Sequence, residues 1–201
     1  MIKRQKLKYP INPLSGIKEA QRYEVFSFFL TFDCSKRINN MAEKEKSPFA
    51  TDNLAEDSGF LMLQVSSLWA DCHDRILKKY YDLSHMQYAV LASIYWLVLH
   101  SEKQVTQTIL SQHTKINPMA ISQMLKVLEA KGYIYRTTHL NDVRAKAVDL
   151  TQQGQELMNK AVLTILEVDT KFFQILGKNV KHFNRYMFEL LQANEYKNGS
   201  M

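Results

Sequence analysis

The chain has 201 residues, 46% of them apolar and 23% charged, a balance that supports a sizeable core and excludes an intrinsically disordered chain. Its formal net charge of +6 resembles a nucleic-acid signal, but residues 1–40 hold eight Lys or Arg against three acids. The remainder is nearly neutral, so DNA binding would have to rest on local geometry rather than on bulk charge.

Cys34 and Cys72 are too few for a disulfide framework and suit a reducing cytoplasm. The most apolar early run, VFSFFLTF at residues 25–32, is much too short to span a bilayer, and no small-residue cleavage site follows it. We therefore expect a cytoplasmic protein with no membrane span. Residues 1–56 read as an N-terminal extension, partly disordered or absent from the native product. Met41 opens a hydrophilic leader in the manner of a translation start.

From Phe60 the pattern is helical, with Leu61, Val65, Leu68, Cys72, Ile76 and Tyr80 recurring every three or four residues until Asp82 and Leu83 break it. Ser84, with Gln87 three residues on, forms a capping box that opens a second helix to about His100. That helix is apolar on nearly every side, which predicts a place at the centre of a core. Thr106 can cap a third helix running to about His113, with Ile109 and Leu110 inward. Asn117 is a good N-cap for the fourth, Pro118 suits its first position, and Gly132 supplies its stop.

Residues 133–138 and 145–150 are β-prone and flank the run His139, Leu140, Asn141, Asp142, Val143, Arg144, which predicts a hairpin. Thr151 then caps a long fifth helix, Gly177 interrupts it, and a sixth runs nearly to the end. Helix, short turn, capped helix and hairpin is the order of a winged helix-turn-helix. The predicted fold is mainly α, with a small β-hairpin wing and terminal helices more apolar than covering so small a core requires. Their surplus suggests a dimer interface.

The wing residues Asp142, Arg144, Val148, Leu150, Thr151 and Gly154 fit a D-x-R…V-x-L-T-x-x-G pattern. Together with residues 116–136 (INPMAISQMLKVLEAKGYIYR, starting at Ile116), the chain resembles the MarR family of bacterial transcriptional regulators over about residues 58–196. The resemblance implies a domain at 57–196, with a winged core at about 84–151 and dimerisation helices at about 57–81 and 152–196. A short tail, 197–201, follows. It also implies a homodimer on a palindromic operator in double-stranded DNA, fourth helices in major grooves and wing tips in minor grooves.

The helix-four positions opposite its apolar face are Pro118, Met119, Ser122, Gln123 and Lys126. Gln123 can bridge N6 and N7 of adenine, Met119 can touch thymine methyls, and Lys126 suits phosphate. Many relatives carry Ser, Thr and Arg where this chain has Met119, Ala120 and Gln123, which points to an A·T-rich operator. Arg144, permanently charged at a hairpin tip, suits a narrow minor groove, with Asp142 as its brace. Thr106, Thr108, Ser111 and His113 are candidate phosphate donors.

Relatives often hold effectors between the first two helices and the DNA-binding lobe. Trp69, His73, Tyr80, Tyr81, His85 and Tyr88 would supply aromatic walls there for a flat amphipathic or phenolic molecule. An aromatic core with satisfied hydroxyls accounts for the same residues equally well. Peroxide-sensing relatives place a thiolate near the start of helix one, where this chain has Phe60. Cys72 falls mid-helix on the apolar face, so redox sensing is the weaker reading.

No cofactor or metal is expected: the histidines form no i, i+4 pair, and no phosphate loop or triad spacing points to an enzyme. The expected function is that of a ligand-responsive repressor. The rivals are an interaction module that has lost DNA readout and, behind it, a cysteine-based sensor.

Overall fold

A computed structural model describes residues 54–140 and 145–198. Residues 1–53, including Cys34, Met41 and the apolar run at 25–32, lie outside the described residues, as do Asp142 and Arg144. The chain divides into two compact units, one ending at Ile165 and the other beginning at Leu166.

In the first unit a 3-10 turn, Leu54–Glu56, leads into α1 (Ser58–Tyr81). Asp57 starts α1 by accepting the Phe60 N–H at 2.9 Å, and Asp82 ends it in the left-handed region at φ 51°. The Ser84–Gln87 capping box opens α2 (His85–His100). This helix packs on α1, α3, α4 and β2, and Val90, Leu91 and Ile94 are wholly buried.

The expectation that α2 is enclosed on every side holds for that inner face alone, because Trp96 and Leu99 are each 50% exposed. The outer face near its C-terminus meets the end of α3. There Trp96 lies between two imidazoles, stacked on His100 at 4.6 Å and on His113 at 5.3 Å between centroids.

Thr106 caps α3 (Gln107–Thr114), and Lys115 at φ 60° turns the chain toward α4 (Pro118–Ala130). Asn117 Oδ1 accepts the Ala120 N–H at 2.8 Å, Pro118 occupies the first turn, and Ile121, Leu125 and Leu128 are buried. Gly132 ends the segment at φ 74°, which only a residue without Cβ adopts cheaply, and the Tyr133 N–H returns to the Leu128 carbonyl at 3.0 Å.

The wing is an antiparallel pair, β1 (Ile134–Thr138) with β2 (Lys146–Leu150), in the register Ile134 to Leu150, Arg136 to Val148 and Thr138 to Lys146. The Val148 N–H bonds the Val105 carbonyl at 2.8 Å and Thr106 bridges Ala147, so the residues before α3 run along the other side of β2. That pairing fixes the wing to the start of α3.

Thr151 joins three elements. Its N–H bonds the Tyr133 carbonyl at 3.0 Å, its hydroxyl donates to the Gly132 carbonyl at 2.6 Å, and its Oγ1 accepts the Gly154 N–H at 3.0 Å. From there α5 (Gln152–Phe173) buries Met158, Ala161 and Ile165 before crossing into the second unit.

The second unit holds the end of α5, a 3-10 segment Gln174–Asn179 broken at Gly177, and α6 (Val180–Asn198). Phe173 packs against Phe172 and Phe183, at 5.1 and 5.8 Å between ring centroids. Along α6, Tyr186, Met187, Phe188, Leu190 and Leu191 are exposed. No helix among the described residues is long and apolar enough to cross a membrane.

Candidate nucleic-acid interface

Burying Ile121, Leu125 and Leu128 turns the opposite side of α4 outward. Met119 is 74% exposed, Pro118, Gln123 and Lys126 are also exposed, and Ser122 is half-buried. The structure thus gathers the five helix-four candidates on the outer side of one short helix. An apolar methionine so exposed at the first turn is available for contact with a methyl-bearing groove.

Three polar ties hold α4 at its ends. Gln107 Nε2 donates to the Pro118 carbonyl at 3.0 Å. Arg136 Nε donates to Glu129 Oε2 at 2.9 Å, and the guanidinium's NH2 group bonds the same oxygen. Lys131, which follows the helix as its C-cap, donates to the Asp82 carbonyl and, at 2.8 Å, to Asp82 Oδ2. The Arg136 hydrogen bond, with a smaller contribution from its charge, holds the Glu129 carboxyl below its ordinary range against the opposing effect of burial.

Between the start of α3 and the hairpin lies a cleft of about 250 Å³ lined by Thr106, Thr108, Arg136 and Lys146 among others. Two hydroxyls and the Lys146 ammonium suit a phosphate backbone, with Arg136 beside them in its pair with Glu129. Sequence reasoning named the threonines and missed Arg136 and Lys146. Their signal was the strand alternation, since Arg136 pairs with buried Val148 and Lys146 stands two residues before it.

Thr106 also spends its oxygen as an acceptor of the Ile109 N–H at 3.3 Å, while Thr108 is exposed. Ser111 turns inward and donates to the Ile116 carbonyl at 2.7 Å, which removes it from the outer surface of the turn. His113 is exposed but stacked on Trp96.

Of the aromatic candidates, four come together at the junction of α1 and α2. His73, 1% exposed, lies 4.4 Å from Trp69, 5.1 Å from His85 and 6.3 Å from Tyr88 between ring centroids. The two histidines meet through their Nδ1 atoms at 3.2 Å, so one must donate and the other accept. Asp74 Oδ1 accepts the His85 backbone N–H at 2.5 Å. Burial pushes the Asp74 carboxyl up, but that bond together with Lys78 outweighs it and leaves the group below its ordinary range.

Of the other two candidates, the Tyr81 hydroxyl bonds Thr164 Oγ1 at 2.5 Å, and Lys79 lies over the Tyr80 ring at 5.2 Å. Cys72 is 5% exposed on α1. Among the described residues, no group of three or more His, Cys, Asp or Glu is arranged to hold a metal ion.

A helix that presents polar and apolar side chains outward, preceded by a short capped helix and followed by a hairpin, defines a winged helix-turn-helix DNA-binding regulator. Residues 74–161 match the family model described as transcriptional regulator SarA/Rot. The chain is 31% identical over 134 residues to the uncharacterised HTH-type transcriptional regulator YdcH of Bacillus subtilis, covering 67% of this chain and 89% of that protein.

Solved structures share the fold. The Staphylococcus aureus MepR–DNA complex superposes with a TM-score of 0.61 at 21% identity, covering 68% of this chain and 97% of that one. Rhodococcus jostii CouR bound to p-coumaroyl-CoA gives 0.60 at 21% identity, covering 70% and 95%. The chain belongs to the MarR/SarA family of winged helix-turn-helix transcriptional regulators. It is a DNA-binding transcription regulator and not an enzyme.

Proposed function

We propose that the protein is a ligand-responsive repressor that binds a palindromic operator as a homodimer. The observation that carries this reading is the outward set on α4, with Met119, Gln123 and Lys126 exposed along a helix whose other side is anchored in the core. Gln123 reads adenine, Met119 meets thymine methyls, Lys126 meets phosphate, and Ser122, at the edge of the set, reaches a base or a phosphate. Thr106 and Thr108 serve the backbone, with Arg136 and Lys146 beside them. On the wing tip, Arg144 enters the minor groove braced by Asp142, a placement that rests on the sequence.

Dimerisation is supported separately in each unit. On α1, Leu61, Met62, Leu63 and Val65 are exposed near the N-terminus, and on α6 Tyr186, Met187, Phe188, Leu190 and Leu191 are exposed. Apolar surface of this extent marks an interaction site. A dimer places two α4 helices in successive major grooves, about 34 Å apart.

Trp69, His85 and Tyr88, backed by buried His73, offer the aromatic surface for an effector, and Tyr80 and Tyr81 follow on α1 as further candidates. A fold neighbour that binds an aromatic thioester supports that choice. An effector that fits only dimers with misplaced α4 helices lowers the DNA-binding population.

A gel shift on the chain's own upstream region, repeated across a salt series, tests the proposal. A discrete complex that survives competitor DNA and weakens steeply with salt is expected. Equal affinity for operator and competitor at low salt overturns it. An intact-mass measurement on native protein decides whether translation starts at Met41.

A further inference from the structure

We propose that Lys131 is a positioning residue for DNA reading, which locks the far end of the recognition helix to the elbow between α1 and α2. The inference rests on the α4 readout described above and adds a device that sets the angle of that helix. Its basis is a pair 49 positions apart in sequence: the Lys131 ammonium donates to both the backbone carbonyl and the carboxylate of Asp82.

Each half of the contact is built. Asp82 stands at the end of α1 in the left-handed region at φ 51°, with its own N–H returned to the Leu77 carbonyl and the next residue, Leu83, 1% exposed in the core. Its carbonyl is therefore held in a fixed direction, at the negative end of a 24-residue helix where a cation is favoured. The Lys131 side chain is only 25% exposed, so its stem lies along the protein and delivers the ammonium with little freedom. The Asp82 carboxylate is 91% exposed, and an ion pair so wet contributes little to global stability. A contact with fixed direction and small energy is suited to aiming a helix rather than to holding the fold together.

Aiming is refined at the ends, because packing of Ile121, Leu125 and Leu128 sets how deep α4 sits and which side faces out, and fixes its angle only to within about 15–20°. Gln107 holds the Pro118 end, and at the other end Glu129 ties α4 to β1 through Arg136 while Lys131 ties it to the elbow. If the Lys131 end is released and α4 pivots 10° about Pro118, Lys126 lies about 12 Å along the axis and moves by roughly 2 Å. A displacement of that size breaks hydrogen bonds to a base edge while leaving non-specific phosphate contacts available. The tie also makes the elbow, with the Trp69–His73–His85 cluster next to it, mechanically continuous with the reading helix.

The test uses the full chain with three variants, Lys131→Met, Lys131→Arg and Asp82→Asn. For Lys131→Met we expect a five- to tenfold loss of operator affinity, with affinity for non-operator DNA, the salt slope and the melting temperature unchanged. Lys131→Arg should restore most of the loss. Combining Lys131→Met with Asp82→Asn should cost no more than Lys131→Met alone, because both act through one contact.

Equal losses on operator and non-operator DNA with a shallower salt slope would make Lys131 a phosphate contact and overturn the proposal. So would an unchanged operator affinity, or a loss accompanied by a lower melting temperature that Arg fails to rescue. Amide exchange at residues 82–84 and 131–133 reads the tie without DNA. It should rise at both segments together in Lys131→Met, and this result stands apart from whether the wild-type chain prefers any operator.

Discussion

A Cβ added to Gly154 would lie 2.0 Å from the carbonyl oxygen of Tyr133, so the first turn of α5 rests directly on the backbone that links the recognition helix to the wing. Both partners are main chain, and neither can move aside alone. Gly154→Ala should therefore cost about 2–3 kcal/mol, as overpacking does, and denaturant titration should show a lower midpoint with an unchanged slope. A loss below about 0.5 kcal/mol would mean that α5 can lift off the wing without penalty.

Glu129 and Arg136 connect α4 to β1. Because the Glu129 carboxyl is held below its unfolded value of 4.5, its contribution is fully present above that value and is lost as pH falls through the lower, folded value. The Glu129→Gln variant should match wild type in acid and fall below it above about pH 5. Parallel stability curves across pH 3–7 would show that the pair contributes nothing.

Asn117 caps the recognition helix through its side-chain oxygen. Asn117→Ala leaves the Ala120 N–H without that acceptor and should destabilise the protein by about 1 kcal/mol. Asn117→Asp keeps the acceptor and should retain stability, while its negative charge next to Pro118 weakens DNA binding.

Gln123 and Lys126 should respond differently to truncation. Replacing Gln123 by Ala should cost about 1–3 kcal/mol on the operator and relax preference at one base pair. Replacing Lys126 by Ala should weaken all DNA similarly and lower the salt slope by about one unit. Identical behaviour of the two variants in salt-titrated binding would contradict the assigned roles.

The helix starts were legible because capping chemistry is local: Ser84 with Gln87, Thr106, and Asn117 with Pro118 each open a helix where their side chains predict one. The hairpin was equally legible, with strands one residue shorter at their starts than the β-prone runs. What escaped depends on pairing between distant residues. Nothing periodic announces that Lys131 meets Asp82, that Val105 runs along β2, or that Arg136 and Lys146 share a cleft with Thr106.

The aromatic residues illustrate the same limit. Trp69, His73, His85 and Tyr88 converge at the α1–α2 junction, whereas Tyr81 bonds Thr164 on a helix 83 positions later. Ser111 was misplaced for a smaller reason, since a serine hydroxyl in a tight turn finds a backbone carbonyl more readily than solvent.

The stacking of Trp96 between His100 and His113 gives the DNA-binding half an optical reporter of its own. An imidazole quenches indole emission most strongly when protonated and in ring contact, and His113 belongs to the helix that precedes the turn into α4. The chain has only one other tryptophan, Trp69, at the α1–α2 junction. With Trp69 replaced by Phe, emission from Trp96 would follow displacement of α3 relative to α2 in real time and without a label, as operator is added or withdrawn.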